Sequence, residues 1–428
     1  MCMVTPAVPV VAQRRVRAAR RLLAAGVSVL ALLPPAARAH LPESYGRLFV
    51  AVPSREAAPV AVITPDSALL RQQVETLETA LEDVTEAYSP AAADPLTALG
   101  QAWSQLGDPR RALEHYGAAL QSRRINDGLL APTQLPLLRA MAASHAALGD
   151  RAAQQARWRQ AFRVHGMGHG VLADEALRDS LAYFRIARER YIDPTQRADT
   201  AAFLEALIDN DAAYAAQVAR DDAGYALVEA LAISQLRNLY LLLGSDFSQV
   251  APAGDAADAA QANLLRRQAL AYGDGLDLLR DLLLRAARQP AAVRARLQLR
   301  LANWHQWNSH WQSARGAYAE VFRLLSSAPQ DRALRERLAS PALLPEDPGL
   351  WESLQAPGVP TRGIVRASLR VSARGDASRV RVDSEGETSP ALAGRLRRIL
   401  ADSHFRPALR DGTAEAGELR DLRYLILD

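Results

Sequence analysis

Leu96–Leu120 reads LTALGQAWSQLGDPRRALEHYGAAL, and two short helices folded against each other account for it. Asp108-Pro109 is the hinge signal. The Asp side chain can cap the second helix, and Pro suits its first position, where no donor is needed. Gly107 ends the first helix, and Gly100 lets the two helices approach closely. Trp103, Ala112, Tyr116 and Ala119 fall at helical spacing on the faces that would meet. A single hairpin cannot bury its own apolar face, so neighbours are required.

Working outward, the same frame returns at Leu137–Phe162. There Ala142, His145, Gly149, Trp158 and Ala161 match, while Gln154 stands where Ala is expected. A third copy lies at Ala295–Leu325, with Ala302, Ala314 and Tyr318 in frame and His305, Ser309 and Val321 looser. The first copy fills all six positions of a small–aromatic–Gly–Ala–aromatic–Ala pattern, with Gly100, Trp103, Gly107, Ala112, Tyr116 and Ala119. It resembles the tetratricopeptide repeat (TPR) family. The resemblance implies a mostly α fold, an α-solenoid of helical hairpins over residues 67–328. It also implies a concave groove lined by the first helix of each hairpin, into which Thr97, Gln101, Arg139, Asn303 and Gln306 would point.

Between the copies, Leu177, Leu181, Phe184 and Ile186 mark one helix, and Phe203, Leu204 and Leu207 another. From Ser67, the steps Leu70, Val74, Leu77, Leu81 and Val84 read as a helix capping the first hairpin. Residues 40–66 hold Pro42, Pro53, Pro59 and Pro65 and read as an irregular arm. Residues 329–362 hold six prolines and read as a linker, helical at Arg332 to Leu338.

At Gly363 the apolar period switches to two: Val365, Ala367, Leu369 and Val371 alternate with polar residues. A turn at Arg374-Gly375-Asp376, a second strand through Val380 and Val382, and a helix with Leu392, Leu396, Ile399 and Leu400 on one face follow. Then come Phe405-Arg406-Pro407-Ala408, a turn at Asp411-Gly412, and a last strand, Leu422 to Leu427. This strand–strand–helix–strand order with Phe-Arg-Pro-Ala is similar to the C-terminal domain of the TonB energy-transducer family over residues 363–428. That resemblance implies a small α+β module that binds an outer-membrane or envelope protein by pairing a sheet edge with an extended segment. The family's functional His in its N-terminal helix and its Tyr-Pro segment have no counterpart here, so energy transduction is not implied.

At the other end, the arginines of Arg14–Arg21 precede the twelve-residue apolar run Leu22–Leu33, Pro34-Pro35, and Ala37-Arg38-Ala39. These are the parts of a secretory signal cut after Ala39. The run is short of the roughly 20 apolar residues that a spanning helix needs. The expected location is therefore the periplasm, the alternative being an inner-membrane anchor. Residues 1–39 hold six arginines and no acid, so the formal charge of +4 becomes −2 over 40–428, with 45 basic and 47 acidic residues. Nothing in that balance favours nucleic acid. The chain has no Lys, which excludes Schiff-base and phosphate-loop lysine chemistry. The one Cys, Cys2, lies before the cut.

His165-Gly-Met-Gly-His-Gly170 could suggest zinc, but three glycines make a helix there improbable, and it reads as an interhelix loop. Trp304, Trp307 and Trp311 read as repeat packing rather than an aromatic platform. No hydrolase, zinc-protease or phosphate-loop motif occurs. The expectation is an exported, non-enzymatic scaffold with no cofactor, binding proteins or peptides through its groove and again through the TonB-like module. The alternatives are a diverged transducer anchored at its N-terminus and a helical-repeat enzyme acting on cell-wall glycan.

Overall fold

The computed structural model describes residues 49–52 and 67–427, apart from 83, 85–87, 170–171, 193–198, 221, 246, 248–254, 328–330, 348–349, 351–360 and 386–389. All of them belong to one unit, Ala39–Asp428. The signal reading of 1–39 and most of the 40–66 arm fall outside the described residues.

The chain is mostly helical, with a small antiparallel sheet region towards its C-terminus. Helix α1 (Ser67–Glu82) precedes five helix pairs: α2 (Pro90–Gln105) with α3 (Pro109–Asp127), α4 (Leu135–Ala147) with α5 (Arg151–Val164), α6 (Asp174–Ile192) with α7 (Thr200–Val218), α8 (Tyr225–Gly244) with α9 (Asp255–Arg285), and α10 (Ala291–Trp307) with α11 (Trp311–Ser326). The two helices of each pair pack together, and each pair packs on the next. Helix α1 lays Val74, Leu77 and Leu81 against Leu99, Ala102 and Trp103 of α2.

Three of the pairs close on the same turn. Gly107, Gly149 and Ser309 have φ of 81°, 72° and 62°. The following amide then reaches the carbonyl five residues back: Asp108 to Trp103, Asp150 to His145, and His310 to His305, each at 2.9 Å. This satisfies a carbonyl that the helix end leaves unpaired. Asp108 and Asp150 next accept the backbone N–H of Arg111 at 3.1 Å and of Ala153 at 2.9 Å. Each such cap contributes about 1 kcal/mol. The third turn has no side-chain cap at His310 and places a Ser in the left-handed region.

Inside the first pair, Ala112, Tyr116 and Ala119 are buried. A Cβ on Gly100 would lie 2.5 Å from the Tyr116 ring, so only glycine fits without repacking. A large core cluster joins α6 through α10, with Tyr191 stacked on Phe203 and Tyr240 edge-on to Trp304 and Trp307. Helix α8 is long and apolar enough to cross a membrane by length and composition. Its Leu231, Ala232, Leu236, Leu241 and Leu242 are buried in the core.

The sheet holds β1 (Phe49–Val52), β8 (Gly417–Leu427), β3 (Thr361–Val371) and β4 (Ala377–Glu385), in that spatial order and all antiparallel. Helix α13 (Pro390–Asp402) buries Leu396, Ile399 and Leu400 against Val365, Ala367, Leu369 and Phe405. Two expectations need correction. The stretch read as an irregular arm contains β1, whose Phe49 is fully buried in the module's core and pairs with Ile426. The last strand is longer than Leu422 to Leu427. Its first half is disguised by a bulge at Asp421 (φ 57°), where the register with β3 shifts between Ala367 and Leu369.

The linker reading is corrected as well. Helix α12 (Arg332–Leu338) is followed by β2 (Ala342–Leu343), which pairs with β5 (Phe405–Arg406). Leu344 and Leu350 enter the core of α6–α10. The hairpin of β6 (Ala408–Arg410) and β7 (Thr413–Glu415) sends Leu409 and Ala414 into the core of α10–α12. Prolines read as looseness, but Leu334, Leu338, Leu344 and Leu350 among them are anchors.

Candidate interaction surfaces

The five residues expected to share a groove do not form one free surface. Gln101 is exposed on α2. The Thr97 hydroxyl turns back to the Ala93 carbonyl at 2.7 Å. Arg139 holds Asp179 with two nitrogens, Nε at 3.0 Å and Nη2 at 2.6 Å, and also binds Glu175. Asn303 and Gln306 are each only 6% exposed. Asn303 accepts the Tyr318 hydroxyl at 2.9 Å, and Gln306 donates to the Arg374 carbonyl in the β3–β4 turn at 2.6 Å. The physical reasons differ: Gln306 meets the sheet module, Asn303 meets the second helix of its own pair, Arg139 meets α6, and Thr97 meets its own helix.

The same holds one step along. Asp347, 6% exposed, accepts from Arg237 of α8 through Nε (3.0 Å) and Nη2 (2.8 Å), and from Arg300 of α10 at 3.4 Å. Arg188 of α6, 3% exposed, donates to the Ser234 hydroxyl and to Asn238 Oδ1 at 3.1 and 2.9 Å. Burial, with Arg237 beside it, pushes its guanidinium down to about 9. Sequence reasoning missed this cluster. Its only signal was an acidic pair, Glu346-Asp347, set among prolines and leucines.

Phe405, Arg406 and Ala408 of the Phe-Arg-Pro-Ala segment are buried as well. Arg406 donates to Glu346 at 3.1 Å and to the carbonyls of Leu338 and Arg337 at 3.2 and 3.1 Å. A buried charge is tolerated only with such full pairing. Pro407 follows directly and contributes a carbonyl to the same guanidinium at 3.4 Å. This motif therefore bolts the module to the strap of residues 342–347.

His165 lies in a loop after α5 with its Nε2 2.9 Å from Asp179, while His169 is exposed. Among the described residues, no group of three or more His, Cys, Asp or Glu could hold a metal. Trp304 and Trp307 are core residues, and Trp304 donates to the Tyr272 carbonyl at 3.1 Å. Trp311 is 39% exposed beneath the Arg374 guanidinium, 5.1 Å from its ring centre.

Among the described residues, two surfaces bear on binding. One is a groove of about 780 Å³ between α7 and α9, lined by Leu204, Ile208 and Ala260 and by Asp199, Glu205 and Asp209, which are held by Arg190, Arg159 and Tyr183 respectively. The other is the sheet's outer margin. Strand β8 is covered by β1, whereas β4 pairs only with β3 among the described strands. Compared with family models and with curated proteins, the chain matches none.

Proposed function

We propose that this chain is an exported, non-enzymatic adaptor of the periplasm. On this reading a TPR-like solenoid contacts protein or peptide partners, and a TonB-like module makes a second contact. The observation that carries it is the repeated turn, with Gly107, Gly149 and Ser309 in the same conformation and the same amide-to-carbonyl closure after each. Arrays with one recurrent joint gain extended surface without a catalytic centre. The α7–α9 groove supports the same reading, because its apolar lining of Leu204, Ile208 and Ala260 suits the apolar side chains of a partner segment.

A photo-crosslinking residue at Ile208, 41% exposed, tests this in the full chain. Crosslinks to a discrete envelope protein, absent from the same label at Leu270, support the adaptor. Labelling that is no more specific at Ile208 than at Leu270 sinks it. N-terminal sequencing of the periplasmic form should begin at His40. An intact N-terminus on membrane-bound protein would favour the anchored transducer instead.

A further inference from the structure

We infer that the free edge of β4 and its groove with α13 take up an extended acidic peptide segment as an added strand. This rests on the reading of the C-terminal module as a protein contact, and it names the edge and the partner's chemistry.

The sheet has two margins. One is closed by this chain itself, since Phe49–Val52 pairs with Arg423–Ile426. The other is β4, which among the described strands pairs with β3 alone. An unpaired edge offers a row of backbone donors and acceptors to any extended chain. The register from Ile364–Glu385 to Ser368–Arg381 is unbroken, so five residues of β4 run straight. The irregularity lies before them, at Arg379 with φ 52°.

Beside this edge is a groove of about 510 Å³, between Val380, Arg381, Val382 and Asp383 of β4 and Pro390, Ala393, Gly394 and Arg397 of α13. The helix side is built from small residues. A Cβ on Gly394 would meet no atom closer than 4.0 Å, that being a guanidinium nitrogen of its own helix neighbour Arg398. An incoming strand therefore has room for its backbone and for small apolar side chains on that face.

Charge sets the rest. Residues 361–428 carry 13 arginines against 10 acidic residues, the reverse of the balance over 40–428. Two arginines, Arg381 and Arg397, line the groove against one carboxylate, Asp383; all three are exposed, and neither arginine has an ion-pair partner among the described residues. Charged side chains on an edge strand repel unsuited strands and admit complementary ones. Arginine forks suit carboxylates in particular. The fitting occupant alternates acidic with small apolar residues.

The test uses the full chain and a fluorescein-labelled, capped octapeptide alternating Asp and Val. Saturable binding is expected, with amide protection of Arg381–Asp383. Three changes should each weaken it at least tenfold: replacing Asp by Lys in the peptide, placing Pro at its centre, or the double variant R381E/R397E. Gly394→Trp fills the groove and should do the same with an unchanged thermal melt. Equal binding by the variants overturns the inference. Protection of Tyr424–Ile426 instead, with release of β1, overturns it while leaving the module a strand binder. No binding of any peptide removes both.

Discussion

Single residues decide how closely the helices meet. Gly100 faces the Tyr116 ring, so Gly100→Ala forces a contact that costs about 1 to 3 kcal/mol. Gly117, on the same hairpin, has nothing within 4 Å. Gly117→Ala should raise stability by up to about 1 kcal/mol through helix propensity. Opposite shifts of the thermal midpoint are expected. Titration also reads out at this scale. Burial lowers the His305 imidazole below its ordinary value, aided by His310 and Arg280, and its Nδ1 lies 3.0 Å from the Tyr272 hydroxyl. The unfolded chain then binds a proton more readily than the fold. Stability from this site is present above about pH 6.5 and falls as the pH drops from there towards the lowered folded value. His115 and His145 are shifted in the same direction, also chiefly by burial. His305→Asn should flatten the dependence of the thermal midpoint on pH between 7.5 and 5. An unchanged slope would refute the assignment.

At the scale of elements, the turns were legible and the docking segments were not. Asp108-Pro109 and Gly107 announce a hairpin because each residue has a local backbone task. β1 has no comparable signal. It is four residues long, sits among prolines, and meets its partner strand more than 300 residues downstream. The strap was misread for a similar reason: proline marks an irregular backbone, and irregular is not the same as free. Its Asp347 carboxylate faces Arg237 and Arg300, whose side chains keep 24% and 35% of their surface in water. Asp347→Ala should cost about 2 to 3 kcal/mol, less than a fully buried pair would. The melt should fall accordingly, with faster proteolysis between Leu338 and Phe405. Phe49→Ala empties a site in the module's core and should cost about 3 kcal/mol, with faster hydrogen exchange at Tyr424 and Ile426. Preserved protection there would mean that β1 does not hold the edge.

At the scale of the whole molecule, the sequence suggested an array and a tail joined by a tether. Repeat geometry says which helix faces inward but not what covers that face. Asn303 and Gln306 are covered by the chain itself. The strand β2, Asp347 and Arg406 weld the sheet module to the helix pairs, and β4 is the module's unpaired margin among the described strands. Native-state hydrogen exchange of the full chain across a urea series tests this most directly, because cooperative units open with a shared free energy. Amides of Val365 and Tyr424 in the module are expected to open with the same free energy and urea slope as those of Leu301 and Trp304 in α10. Module amides opening at a distinctly lower free energy, while α10 stays protected, would contradict it.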